Sequence, residues 1–146
     1  GLHPGTLIIS SRLEPASTIV AARLGIETGT ELAVLERLRL ADGTPMSVEH
    51  SRLVHRHCPG ILEGDYTSTP LHEALRDRYG IRLVRASQAI RAVNADGKLS
   101  EILAVAEGTP LFYIERVSFQ QGGIPVEYLQ IYHRGDRYVL YNELIA

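Results

Sequence analysis

The chain has 146 residues, of which 45% are hydrophobic and 22% charged, and its formal net charge is −2 at pH 7. This composition indicates one globular domain with a sizeable core, and the nearly balanced charge argues against an extended nucleic-acid-binding surface on this chain. A single cysteine, Cys58, excludes an internal disulfide framework, and no apolar run is long enough to cross a membrane. We therefore expect one cytoplasmic domain over residues 1–146.

The first half of the chain predicts a strand, a helix and a hairpin. Loose alternation of apolar residues predicts the first strand, and a helix is expected to follow because Pro15 suits a first helical turn. Asp42-Gly43 is a typical hairpin turn between two further strands. The predicted elements are a strand over residues 7–13, a helix over 14–24 and hairpin strands over 31–40 and 45–54.

The second half predicts a loop, a helix and then the same succession of elements. Pro70 at the start and Gly80 after the end define the middle helix. The predicted elements are a loop over residues 55–69, a helix over 70–80, a strand over 81–93, a helix over 98–105 and hairpin strands over 111–119 and 124–133. Strands outnumber helices and hairpin neighbours are antiparallel, so the predicted class is α+β, with helices packed on an antiparallel sheet.

The two halves are related by an internal repeat. Residues 24–38 recur 79 positions later as residues 103–117, without a gap. The identical pairs are Leu24/Leu103, Gly29/Gly108, Thr30/Thr109, Leu32/Leu111, Glu36/Glu115 and Arg37/Arg116. A copied unit of helix end, turn and hairpin predicts two halves that build one sheet around a shared centre.

The register of the first hairpin follows from its polar pattern. If Arg37 faces Glu49 and Arg39 faces Ser47, the apolar residues fall on the opposite side, with Leu38 facing Val48 and Leu40 facing Met46. This register needs a three-residue loop, residues 42–44. One face of the hairpin then presents Arg37, Arg39, Ser47, Glu49 and Ser51 together.

Arg37 and Arg39 are the strongest candidates for a binding role. Residues two apart on a strand project to the same side, about 7 Å from each other. Two guanidinium groups at that spacing suit a phosphate or carboxylate, and Glu49 suits hydroxyls or an amine. The alternative is a solvated sheet face with a cross-strand Arg–Glu pair.

Other polar residues give weaker signals. Ser68 and Thr69 precede the middle helix and could bind an anion at its N-terminus or simply cap it. His133 shares a strand face with Glu127 and could be a pocket residue or a partly buried neutral histidine. Histidines near Cys58 match no standard zinc spacing, so we expect no metal, and no catalytic or cofactor motif occurs.

Four segments give the chain a family resemblance. Residues 34–49 resemble the first hairpin of the UTRA domain, the effector-binding half of GntR-type bacterial transcription regulators of the HutC subfamily. Residues 125–128 and 134–138 are similar to its closing signature, and residues 71–81 to its central helix and the following strand. The resemblance covers nearly the whole chain in the right order.

This resemblance implies a chorismate-lyase-like α+β fold that has lost catalysis and kept its pocket. It also implies a winged helix-turn-helix DNA-binding domain upstream, which this chain lacks, and a homodimer formed through the present domain. Family effectors are small polar molecules, often phosphorylated sugars. DNA would be bound only through the missing domain, and no membrane or cofactor is implied.

Residues matched by position acquire expected roles from the resemblance. Arg37 and Arg39 would hold the anionic group with Ser68 and Thr69, Glu49 and Glu127 would take hydroxyls or an amine, and Arg85 could line the same cavity. Two positions depart from the pattern: Pro70 replaces a usual serine, and His133 replaces a usual tyrosine. Since Pro70 has neither hydroxyl nor N–H, one phosphate contact is lost, and other organic acids remain open as effectors.

The expected function is therefore effector sensing, in which a small anionic metabolite changes the DNA affinity of an attached domain. One alternative is a small lyase on the same scaffold, for which Glu49 or Glu127 would be the only credible acid or base. The other is a dimerisation module with a vestigial pocket. We expect the chain not to be an enzyme.

Overall fold

The computed structural model describes residues 2–145, which form one six-stranded antiparallel sheet and three α-helices. The predicted α+β class is confirmed. In chain order the elements are β1 (Pro4–Pro15), α1 (Thr18–Leu24), β2 (Glu31–Ala41), β3 (Thr44–Val54), α2 (Leu71–Tyr79), β4 (Leu83–Asn94), α3 (Gly97–Leu103), β5 (Pro110–Gln120) and β6 (Ile124–Arg134). Two short 3₁₀ turns, His55–His57 and Ile61–Glu63, interrupt the segment before α2. No helix in the described range is long and apolar enough to cross a membrane.

The sheet order β1-β2-β3-β6-β5-β4 places the two copies of the repeat side by side. Each copy is a strand, a helix and a hairpin, and the copies meet where β3 pairs with β6. The link from helix to hairpin is the same in both: Ala16 N donates to Thr30 O, and Ala95 N donates to Thr109 O, each at 2.8 Å. The predicted repeat is therefore an approximate twofold symmetry of the sheet, with α2 as the connection between the copies.

The first helix is shorter than predicted. Pro15 remains in β1, opposite Glu31, instead of entering the helix. The helix begins after Ser17, whose hydroxyl accepts from the N–H of Val20 and so takes the capping role. The third helix also ends early, because Ala104 adopts a left-handed conformation (φ 54°) immediately after Leu103.

The first hairpin has the predicted register on its polar face but a different turn. Arg37 pairs with Glu49 and Arg39 with Ser47, as expected. The prediction that Leu40 faces Met46 is wrong, because a register shift after Arg39 pairs Leu40 with Pro45. The turn is consequently the two-residue Asp42-Gly43, both at positive φ, which a tight hairpin of this kind requires.

The helices lie on opposite faces of the sheet. On one face, α1 packs on Leu32 and Val34 and α3 packs on Val48 and Leu111; we call this the helix-pair face. On the other face, α2 packs through Leu71 and Leu75 on Leu35 and Leu53 of the first copy and on Val126 of β6. We call this second face the cavity face, because α2 covers it only in part.

Candidate functional site

A cavity of about 560 Å³ lies between the cavity face and α2. Strands from both copies form its floor, and α2 with the residues after it forms one wall. The cavity is lined by Arg37, Arg39, Glu49, Pro70, Leu71, His72, Leu75, Arg76, Ile81, Arg82, Leu83, Arg116, Ser118, Glu127 and Leu129. Four of the predicted site residues, Arg37, Arg39, Glu49 and Glu127, are thus brought together.

Arg37 is the most deeply placed cation of the cavity. Its side chain is 4% exposed, and its Nη2 donates to Ser51 Oγ at 3.0 Å and lies 3.3 Å from Glu49 Oε2. Its Nε, in contrast, is buried without a hydrogen-bond acceptor among the described residues. An unsatisfied buried donor on a charged group is costly, so this N–H indicates a place for an additional acceptor.

Arg39 and Glu49 complete the cationic end of the cavity. Arg39 Nε donates to Glu49 Oε2 at 3.0 Å, and its Nη1 donates to Thr6 Oγ1 at 2.8 Å. One carboxylate therefore serves two arginines, because Glu49 contacts both Arg37 and Arg39. The cross-strand Arg–Glu pair that was the alternative to binding does form, but it leaves one of the two arginine charges uncompensated.

Glu127 is a buried carboxyl on the cavity floor, 7% exposed. Burial raises the pKa of this carboxyl, while a hydrogen bond from Ser51 and the charge of Arg37 act in the opposite direction. Ser118 lies opposite it on β5 and is also buried. This part of the floor consequently presents a buried carboxyl and a hydroxyl group rather than a second exposed negative charge.

The N-terminus of α2 opens on the cavity. Pro70 is the residue that begins the helix, and no side chain caps it. In the first turn the N–H groups of Glu73 and Ala74 donate to Pro70 O, whereas those of Leu71 and His72 have no acceptor within the helix, and both of these residues line the cavity. Free N–H groups at a helix N-terminus favour an anion, although Leu71, Leu75 and Ile81 add apolar surface to this wall.

Ser68 and Thr69 are exposed and lie outside the lining of the cavity. The interpretation of these residues as helix caps is wrong, because the capping position is Pro70. Ser68 Oγ instead lies 3.3 Å from Asp65 Oδ2, within the turn before the helix. Both residues flank the cavity at Pro70 without contributing to its walls.

Arg85 also lies outside the cavity. A register shift between Leu83 and Arg85 places Arg85 opposite Phe119, while the next residue, Ala86, lies opposite the cavity-lining Ser118. Since neighbouring strand residues point to opposite faces, Arg85 projects away from the cavity. There its guanidinium carbon stacks 4.0 Å from the centre of the Phe119 ring.

His133 lies on the cavity face but is covered by the segment after β6. Its ring stacks on Tyr138, with ring centres 4.0 Å apart and an angle of 13° between the planes. Burial lowers the pKa of His133, and the charge of Glu49 opposes this. Of the two predicted alternatives, the structure favours the partly buried neutral histidine over a cavity-lining residue.

The sequence interpretation missed three arginines that line the cavity: Arg76, Arg82 and Arg116. The repeat already contained a signal for Arg116, which occupies the position of Arg37 in the second copy. Arg76 and Arg82 follow from the fold alone, because they lie on α2 and just after it. With these residues, five arginines and two glutamates line the cavity.

Residues 1–139 match the profile of the UTRA domain. The chain belongs to the UTRA domain family. This match covers both copies of the repeat, α2 and the first residues after β6, so the cavity lies entirely within the matched region.

Curated relatives of this UTRA domain are transcription regulators. The HTH-type transcriptional repressor PhnF of Mycolicibacterium smegmatis is 28% identical over 137 residues, which are 94% of this chain and 56% of the relative. The HTH-type transcriptional repressor NagR of Bacillus subtilis is 30% identical over 142 residues, again 94% of this chain and 56% of the relative. The chain thus spans little more than half the length of these relatives, and it is a regulatory domain and not an enzyme.

The fold of this UTRA domain is also that of a solved effector domain. The crystal structure of the effector domain of PhnF from Mycobacterium smegmatis matches 100% of this chain and 90% of its own, with a TM-score of 0.93 and 27% identity. The C-terminal domain of the histidine utilization repressor from Pseudomonas syringae matches with a TM-score of 0.89 at 19% identity, which shows a shared fold.

Proposed function

We propose that this UTRA domain senses a small anionic metabolite, a phosphorylated sugar or a small organic acid, for a cytoplasmic GntR-type regulator of the HutC subfamily. The metabolite binds in the cavity between the sheet and α2. Binding changes the DNA affinity of a winged helix-turn-helix domain upstream of this chain. The observation that carries this proposal is the buried Nε of Arg37, which lines the cavity and lacks an acceptor among the described residues.

The charge of the cavity supports an anionic ligand. Arginines outnumber glutamates by five to two, and a proton on Glu127, which burial favours, would widen the difference. Arg37 and Arg39 present N–H groups from the sheet, and the first turn of α2 presents backbone N–H groups from the opposite wall. Charge-assisted hydrogen bonds to such groups are the strong ones, so they can hold a phosphate or carboxylate.

Effector binding changes DNA affinity only if the two states of the regulator bind the effector differently. A ligand that binds both states equally shifts no population, however tightly it binds. The effector would distinguish the two states through contacts with both the sheet and α2, which line the cavity together. The names of the relatives and the share of their length that this chain spans support the upstream DNA-binding domain.

The domain also offers a surface for self-association. Strand β1 is an edge strand, and it carries the exposed apolar side chains Leu7, Ile8, Ile9 and Leu13. Exposed apolar groups along an unpaired sheet edge are typical of a protein interface. They support a homodimer, which sedimentation equilibrium of the purified protein would test; a monomer at micromolar concentration would contradict it.

Ligand-dependent thermal shift tests the sensing proposal. Phosphorylated sugars and small organic acids are added singly to the wild-type protein and to Arg37→Gln. We expect at least one anion to raise the melting temperature of the wild type and to lose that effect in the variant. The matched control is Arg52→Gln, which removes an arginine of the same sheet from the helix-pair face, where Arg52 bonds to Gln130. No stabilisation by any anion would instead favour a vestigial pocket.

The DNA-binding part of the proposal requires the full-length protein. Its affinity for the DNA upstream of its own gene is measured by fluorescence anisotropy, with and without the stabilising anion. We expect the affinity to change in either direction for the wild type and to stay constant for Arg37→Gln. An unchanged affinity with a bound anion would contradict the coupling.

A further inference from the structure

We propose that the effector is a two-ended anion: one anionic group is held by Arg37 and Arg39, and a second by Arg116 with the help of Arg82. This inference rests on the proposed function, because it assigns the chemical class of the ligand to the same cavity. It differs from a simple sugar phosphate, which has one anionic end.

The two arginine sites lie on opposite sides of the cavity floor. Arg37 and Arg116 occupy equivalent positions of the two copies, on β2 and β5, and both line the cavity. Strands β3 and β6 separate these strands. Three inter-strand spacings amount to about 14 Å between the backbones.

The side chains do not close this gap. Arg39 Nη1 is held by Thr6 of β1, the edge strand of the first copy. Arg116 Nε is held by Gln88 of β4, the edge strand of the second copy, at 2.9 Å. Because the guanidinium groups of Arg39 and Arg116 are anchored to opposite edges of the sheet, a single phosphate does not reach both of them.

Arg116 has no carboxylate partner at ion-pair distance among the described residues. Among the described residues its hydrogen-bond partner is the neutral Gln88, and it has no ion pair within 4.0 Å, the limit for such a pair. Arg82 on the rim likewise forms neither a hydrogen bond nor an ion pair within residues 2–145. Arg76 differs, since Asp77 Oδ1 accepts from its Nε at 2.8 Å. The second anionic group is therefore assigned to Arg116 and Arg82.

The charge of Arg116 acts inward, on the floor of the cavity. Burial raises the pKa of Glu127, and Arg116 is among the charges that oppose the rise. Glu127 lines the cavity on β6, between Arg116 and the first arginine site, so the positive potential of Arg116 extends into the space that a ligand would fill.

Polar groups suited to hydroxyls occupy the middle of the floor. Glu49 on β3 and Glu127 on β6 lie between the two sites, and Ser118 lies beside Glu127. Carboxyl and hydroxyl oxygens accept hydrogen bonds from the hydroxyls of a sugar chain. The class that fits the whole cavity is a phosphorylated polyhydroxy acid or a sugar bisphosphate, with hydroxyls between two anionic ends.

Isothermal titration calorimetry with matched probes tests this class. Glucose 6-phosphate is compared with 6-phosphogluconate, and fructose 6-phosphate with fructose 1,6-bisphosphate. We expect the two-ended member of a pair to bind at least about tenfold more tightly, the effect of one charge-assisted contact. Arg116→Gln should abolish this preference, because it weakens binding of the two-ended member about tenfold more than binding of the one-ended member. Arg91→Gln, on the edge strand next to Arg116 and away from the cavity, should preserve the preference.

The outcomes separate this inference from the proposed function. If both members of each pair bind with equal affinity and Arg37→Gln abolishes that binding, the two-ended ligand is wrong and the proposed sensing function stands. Equal weakening of both members by Arg116→Gln would overturn the two-ended ligand as well. If none of the four probes binds, the two-ended ligand is also wrong. If, in addition, no anion in the thermal-shift panel stabilises the protein, the sensing proposal is wrong as well. If Arg116→Gln does not fold, the exposed Arg82→Gln should reduce the same preference.

Discussion

The two copies of the repeat use the same scaffold for different purposes. On the helix-pair face they are nearly interchangeable: Arg12 binds Glu36 in the first copy, and Arg91 binds Glu115 at the same positions of the second. These glutamates are among the residues that the repeat preserves. They hold the edge strands to the sheet and take no part in the cavity, which lies on the opposite face.

On the cavity face the copies diverge. Strand positions correspond with an offset of 79 residues before the hairpin turn and 80 after it, because the second turn is one residue longer. Arg39 therefore matches Ser118, and Ser47 matches Glu127. Residues that the copies share maintain the sheet, and residues that differ give the cavity two unlike ends. Arg37 and Arg116 are an exception, because they are shared by the two copies and nevertheless line the cavity.

Substitutions at equivalent core positions of the two copies should destabilise the fold by similar amounts. Leu32 and Leu111 are 0% and 1% exposed and occupy the same place in the two hairpins. We expect Leu32→Ala and Leu111→Ala each to lower the free energy of unfolding by about 2–5 kcal/mol, because both leave a cavity in the core. Urea denaturation followed by circular dichroism measures this. A large loss in one variant and none in the other would show that the copies are not equally essential.

Giving the first copy the residue of the second should weaken the anion site. Arg39→Ser introduces the residue that the second copy carries at this position. We expect a loss of about 1.5–3 kcal/mol in binding of a stabilising anion, since a charge-assisted hydrogen bond disappears. Calorimetry measures the loss, and Arg12→Ser on the helix-pair face is the control. Unchanged affinity in Arg39→Ser would place the anion elsewhere in the cavity.

Glu127 should make stability depend on pH, whereas its counterpart Ser47 cannot. Because burial raises its folded-state pKa above the unfolded value, its contribution to stability is fully present below the unfolded pKa and is lost as pH rises through the folded pKa. Relative to Glu127→Gln, the wild type should thus lose stability from pH 5 to pH 8. Each tenfold difference in proton affinity between the folded and unfolded states corresponds to about 1.4 kcal/mol. Urea denaturation across this range tests it, and a difference independent of pH would contradict it.

The smallest effects should come from the repeated ion pairs. Arg12 and Arg91 are 40% and 61% exposed, so solvent weakens their pairs with Glu36 and Glu115. We expect Arg12→Ala and Arg91→Ala each to lower the free energy of unfolding by less than about 1 kcal/mol. Thermal denaturation at low and high salt measures this, and losses well above that value would give these pairs a larger role.

Local patterns predicted most of the sheet and part of the site. The alternation of polar and apolar residues predicted the pairing of Arg37 with Glu49, because a slip by one residue would mix polar and apolar side chains on each face. The position of Arg85, which was expected in the cavity from the family resemblance, differs because the register shift after Leu83 reverses the face. Bulges depend on how neighbouring strands twist against each other, so the sequence of a single strand does not predict this reversal.

The path of the segments outside the sheet was also beyond local patterns. Ser68 turns towards Asp65, and Pro70 takes the capping position, which was one of the two roles considered for Ser68 and Thr69. His133 is covered because the chain after β6 folds back and stacks Tyr138 on its ring. These contacts depend on where the chain returns after it leaves the sheet. Residue propensities and the spacing of residues along the sequence do not determine that path.

The sequence by itself determined the α+β class, the repeat and the grouping of Arg37, Arg39 and Glu49, because each arises from period-two alternation, turn residues or hairpin pairing close along the chain. The tertiary structure decided that β3 pairs with β6, Ser47 with His133, across most of the chain. That pairing brings Arg116 into the cavity with Arg37 and lets α2 close over both. It depends on packing between segments distant in sequence, which no local pattern specifies.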